Sequence, residues 1–133
     1  MQKRYIWLGA AVLWCIAIFI ASGSTTATGG STQMLLAKLF NLSEAQAVFF
    51  NVLFRKTVHL SAFGLLAILF YNGFDQKRPW LSWSLTTLYA ASDEIHQAFL
   101  PDRTGAIFDV GLDSLGAVLA LAIMTFWKRK RGD

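Results

Sequence analysis

Long uncharged stretches alternate with short charged ones along this chain. No formal charge occurs between Arg4 and Lys38, and residues 5–21 form a 17-residue apolar run. That is near the lower limit for a membrane-spanning helix, about 17–25 residues. Lys3 and Arg4 before the run and ASGS after it resemble a secretory signal. Cleavable apolar regions are shorter, about 7–15 residues, and no clear small-x-small site follows, so a retained span is expected. Residues 22–32 (SGSTTATGGST) predict a polar loop. Beyond it, MLLAKLFNLSEAQAVFFNVLF has amphipathic stretches with few charges. Ser43 followed by Gln46 is a capping-box pattern, which predicts a helix starting there and continuing into the next span. Its early part suits the membrane interface.

Residues 57–74 then carry no formal charge if His59 is neutral, and Asp75-Gln76-Lys77-Arg78-Pro79 reads as a turn with proline opening the next helix. The stretch 80–100 is uncharged for its first thirteen residues and charged thereafter. A second turn, Pro101-Asp102-Arg103-Thr104-Gly105, leads to 106–127, which as a helix would be about 33 Å long. The pattern predicts an all-α, polytopic membrane protein in one domain, residues 1–133. Its four transmembrane helices lie at about 5–21, 52–74, 80–100 and 106–127, with an outer-face loop or interfacial helix between the first two.

Composition agrees. Hydrophobic residues make up 55% of the chain, charged residues 15%, and the mean hydropathy is +0.46. A soluble domain usually carries charge on about a quarter of its residues. The net charge of +4 could suggest nucleic acid, but the basic residues sit between apolar runs rather than on a polar surface with aromatics, so no nucleic-acid partner is expected. Cys15 is the one cysteine and lies inside the first apolar run, which excludes a disulfide framework within the monomer. With both termini inside, the inner face holds eight basic residues: Lys3, Arg4, Lys77, Arg78 and the four from Lys128 to Arg131. The outer face then holds four: Lys38, Arg55, Lys56 and Arg103. The positive-inside rule selects this arrangement, a multi-pass cytoplasmic-membrane protein with N and C termini inside.

Polar chemistry is confined to one region. ASDEIHQAFLPDRTGAIFDVGLD (91–113) contains five of the eight acidic residues and one of the two histidines. In the expected topology it forms a hairpin at the outer face, opposite Arg55-Lys56-Thr57-Val58-His59 at the start of the second span. Asp93, His96 and Gln97 share one helical face, Asp109 and Asp113 another, and Lys56 with His59 a third; Asn51, Arg55 and His59 form a further row. Charge facing lipid costs about 2.5–3.5 kcal/mol per residue at mid-bilayer, so such groups face one another or a wet cavity.

Two chemistries fit. In one, Glu94, His96 and Asp109 act as acid–base groups. Arg55, Lys56 and Arg103 bind an anion, and His59, Asp93, Gln97 and Asp113 complete the pocket. In the other, His59, His96 and carboxylates hold a divalent metal. No HExxH-like spacing is present and neighbouring Lys and Arg oppose a cation, so no metal or cofactor is expected. A structural reading stands beside both: Asp109 and Asp113 pair with Lys56 or Arg55 and hold the bundle together.

At these residues the chain resembles the VanZ family of small bacterial membrane proteins, named for a gene product linked to teicoplanin resistance. The resemblance rests on Lys56-x-x-His59, on Asp93-Glu94-x-His96-Gln97-x-Phe99-x-Pro101-x-Arg103, and on Asp109-x-x-x-Asp113-x-x-Gly116. The family commonly has glycine where this chain has Asp102, and often asparagine where it has Asp113. What the resemblance implies is a polytopic membrane protein with a part in glycopeptide tolerance. The expected partners are membrane lipids, with a lipid-linked wall precursor or a glycopeptide as ligand.

Overall fold

A computed structural model describes residues 1–23, 30–100 and 107–132. Five helices follow in order: α1 (Gln2–Gly23), α2 (Gly30–Phe40), α3 (Glu44–Gly73), α4 (Pro79–Ala98) and α5 (Ile107–Lys130). The described residues contain no strand. The polar loop is shorter than its composition suggests, because α1 extends through Gly23 and α2 starts at Gly30. Helical hydrogen bonding satisfies the backbone even where the side chains are small and polar.

The boundaries follow local chemistry. Asn41 takes a positive φ of 50°, and the Leu42 N–H donates to the Ala37 carbonyl at 3.1 Å, closing α2 with a Schellman-type bond. Ser43 then opens α3: its hydroxyl accepts from the Gln46 N–H at 3.3 Å while the Gln46 side chain accepts from the Ser43 N–H at 3.1 Å. This is the capping box expected from the sequence, and the helix it starts runs unbroken to Gly73. Asp75 and Gln76, each with φ 55°, turn the chain, and Pro79 sets the first turn of α4.

α3 is the hub, packing against α1, α2, α4 and α5, while α5 also packs on α4 and α1 on α4. Its contact with α5 is very close. A Cβ added at Gly116 would meet the Leu60 carbonyl oxygen at 2.5 Å, and one at Gly64 would meet the Gly116 oxygen at 3.3 Å. Small residues let backbones approach in this way, which is how helices in lipid gain van der Waals contact. On the other side, Trp14 donates from its indole to the Ala62 carbonyl at 2.9 Å, and the Tyr89 hydroxyl donates to the Cys15 carbonyl. The apolar core of Ala11, Ile18, Phe63, Leu66 and Ala90 lies among these helices.

α1, α3 and α5 are long and apolar enough to cross a membrane. α4, expected to be a span, does not meet that measure. The reason lies in its buried side: Ser82, Thr86, Asp93, Glu94 and Gln97 are all buried, so much of its polarity is directed inward. The outer surface of the bundle is apolar, with Leu13, Ile20, Leu88 and Phe126 each more than 60% exposed. A soluble domain would rarely expose so continuous an apolar surface, whereas lipid accepts it.

The two ends of the bundle differ. The Lys128 ammonium donates to the Gln76 carbonyl at 3.2 Å, joining the end of α5 to the α3–α4 turn. A Cβ at Gly73 would strike Leu8, so the start of α1 lies at this end too. The clusters around Lys3, Lys77 and Lys128 are therefore gathered at one end. At the other, the Ser22 hydroxyl donates to the Asp93 carboxylate at 2.6 Å.

Candidate functional site

The polar groups at the Ser22 end fall into two sets. The first joins α1 to α4. Asp93 is 2% exposed and both its oxygens are engaged: Oδ1 accepts from Ser22 at 2.6 Å and Oδ2 from the Gln97 amide at 2.8 Å. His96, one turn from Asp93, stacks on Phe19 with ring centroids 4.3 Å apart, and its Nδ1 is buried with no hydrogen-bond partner among the described residues. Gly23 leaves room for it, since a Cβ there would lie 3.3 Å from the His96 ring.

The second set joins α3, α4 and α5. At its outer edge Lys56 donates to Asp109 at 2.7 Å, with the two side chains 43% and 33% exposed. One turn deeper, His59 Nδ1 lies 3.7 Å from Asp113 Oδ1. Asp113 is 0% exposed, and neither carboxylate oxygen has a hydrogen-bond partner among the described residues. Glu94, 5% exposed, approaches from α4. His59, Glu94 and Asp113 can each present one donor atom within 4.8 Å of the other two. Of the basic residues nearby, Lys56 has its charge engaged by Asp109.

The helix faces read from the sequence thus meet, with a division the spacing did not reveal. The structural pairing of Asp109 with Lys56 is present, while Asp113 faces His59. His96 contacts α1. Arg55 is half-buried on α3 and forms no ion pair with a described residue. Arg103 and Asp102 lie outside the described residues.

Several participants were not picked out from the sequence. Ser22 reads as loop, and its partner Asp93 is 71 positions away. Ser114 accepts from the Trp83 indole at 3.0 Å and from the Thr87 hydroxyl at 3.2 Å, fastening α4 to α5 below the carboxylates. Its spacing of one residue from Asp113 gives no helical-face signal. Gly64 had a usable signal, a small residue centred in an apolar helix.

The chain matches the VanZ/LLP1 family over residues 7–128, which covers most of α1 through nearly all of α5. It belongs to that family. No curated protein and no solved structure matches it. Within this VanZ/LLP1 chain, the Lys56-x-x-His59 and Asp109-x-x-x-Asp113 motifs are the two sides of one α3–α5 contact. Asp93-Glu94 is divided, Asp93 holding α1 and Glu94 joining His59 and Asp113. Adjacent residues on a helix point about 100° apart, so a consecutive acidic pair can serve two neighbours.

Proposed function

We propose that this VanZ-like protein binds or modifies an anionic, lipid-linked headgroup at the outer leaflet of the bacterial cytoplasmic membrane, contributing to tolerance of glycopeptides such as teicoplanin. The chain crosses four times with both termini inside. α4 is included as a span because its 20 residues reach about 30 Å, the thickness of the hydrocarbon core. Its polar side chains are sheltered while Leu88 and Ile95 are exposed. The gathering of basic residues at the Lys128 end supports the inside assignment of that end.

One observation carries the functional reading. The half-exposed Lys56–Asp109 pair stands one turn outward of the half-buried His59 and the buried Glu94 and Asp113. A cation at the mouth and acid–base groups beneath it suit an anionic group entering from the outer leaflet. Arg55, Lys56 and Arg103 supply the anion contacts, and Glu94, His96 and Asp109 supply proton transfer. An apolar cavity of about 450 Å³ between α2 and α3, lined by Leu36, Phe40, Phe50, Leu53, Phe54 and Thr57, offers a seat for a lipid chain. Thr57 follows Lys56 and so faces about 100° around α3 from it.

A second reading is favoured by the Ser22–Asp93–Gln97 bonds, in which one oxygen of a buried carboxylate fastens α1 to α4 and the other is held within α4. There the polar residues order a non-enzymatic lipid-binding module. Growth of a deletion strain under teicoplanin, complemented by Glu94→Gln, His96→Ala or Arg103→Ala and checked by immunoblot, tests the first reading. Loss of tolerance with membrane abundance near normal is the expected outcome, because acid–base groups and anion contacts act mainly on the bound or reacting state. Full complementation by all three variants overturns the catalytic reading and leaves the second.

A further inference from the structure

We propose that His59, Glu94 and Asp113 form a binding site for a single divalent transition-metal cation of the manganese or zinc type. Each of three helices contributes one ligand: an imidazole from α3 and a carboxylate from each of α4 and α5. Nitrogen from imidazole with two carboxylate oxygens is a donor set such ions accept.

The state of Asp113 points to an ion rather than to a chance cluster. The residue is 0% exposed, and both of its oxygens lie without a hydrogen-bond partner among the described residues. Native interiors rarely leave a carboxylate in that condition. His59 Nδ1 faces it at 3.7 Å, close enough for an ion pair but beyond hydrogen-bond length. Of the neighbouring charged groups, Lys56 pairs with Asp109, and Asp93 is held by Ser22 and Gln97.

Geometry permits it. Ligands about 2.0–2.2 Å from a metal stand roughly 3–3.5 Å apart. The donor atoms here fall within 4.8 Å of one another, so side-chain rotation closes the difference. The backbones are brought together by the glycine contact. Gly116, one turn beyond Asp113, lies against the carbonyl of Leu60, the residue after His59. Three protein ligands leave coordination positions open, the pattern of sites that also hold water or a ligand oxygen. The site does not depend on a headgroup being bound.

The test uses the full chain purified in nanodiscs, stripped with chelator, reloaded separately with Zn²⁺ and Mn²⁺ and passed through a desalting column. Metal content is read by mass spectrometry of the digest, and thermal stability is read alongside. About one ion per chain is expected for one of the two metals, with a raised melting temperature. His59→Ala, Glu94→Gln and Asp113→Asn should each lose that ion and the melting shift. Asp109→Asn, one turn outward, should keep both. Asp113→Asn keeps the size of the side chain while removing a buried carboxylate, so its stripped form should melt close to the stripped wild type. If that variant fails to fold, His59→Ala and Glu94→Gln decide the matter. A wild-type chain that retains neither metal overturns the site, as does equal retention by wild type and the folded ligand variants.

Discussion

At the scale of single residues, the most informative contact is one that spacing could not show. Ser22 donates to a carboxylate that is otherwise shielded from solvent, and it does so from a different helix. Ser22→Ala leaves Asp93 Oδ1 without that donor, which costs about 1–3 kcal/mol when the group is buried. A lower melting temperature in detergent is expected, with His96 stacking on Phe19 loosened because both contacts fasten the same α1–α4 corner. Unchanged melting would mean that another donor replaces the serine. The sequence made residues of a common helix face legible, since i, i+3 and i+4 neighbours follow from geometry alone. It showed that Lys56, His59, Asp109 and Asp113 could face one another. It left open which cation met which carboxylate, because that depends on the rotation of α3 against α5.

At the scale of elements, the α3–α5 contact sets that rotation. The Gly116 site has no space for a methyl group while Leu60 stays in place, because the obstacle is backbone carbonyl rather than a flexible side-chain tip. Gly116→Ala should therefore separate the helices and destabilise the fold by about 1–3 kcal/mol, the usual scale of overpacking. Thermal melting measures the loss, and metal retention should fall with it, because His59 and Asp113 move apart together. Gly111, which has open space around a built Cβ, is the control: Gly111→Ala should leave metal retention unchanged. Helix starts were the best-read features, since Ser43 with Gln46 and Pro79 act through local hydrogen bonding and fixed φ. α4, read from the sequence as a span, falls short of the hydropathy that marks α1, α3 and α5. Its inward polar residues lower its hydropathy, and only packing reveals which side they occupy.

For the whole molecule, the bonds at the two ends of the bundle make orientation testable. Reporter fusions at Gly30 and near Asp102 should read as extracytoplasmic, and fusions near Gln76 and after Arg131 as cytoplasmic. A cytoplasmic signal at Asp102 would move the carboxylates to the inner leaflet and remove the headgroup reading. A cytoplasmic signal at Gln76 together with an internal one at Asp102 would mean that α4 does not cross. All-helical architecture was legible because apolar run lengths reflect bilayer thickness, a constraint outside the protein. The lateral order of the helices was not, because lipid offers each apolar face the same environment and leaves the choice to small-residue contacts and interior polar bonds.

α3 has 30 residues, so it is about 45 Å long, against a hydrocarbon thickness of about 30 Å. The excess must be taken up by tilt or by projection into the headgroup layer, where the first turns of α3 and the accompanying α2 are suited to lie. Hydrophobic mismatch then becomes a control on access. In a thicker bilayer α3 stands more upright and Lys56 and Asp109 sink relative to the phosphate plane; in a thinner one they rise toward it. The depth of this polar cluster is thereby coupled to acyl-chain length, and reconstitution in lipids of graded length would vary its exposure to the headgroup layer without changing a residue.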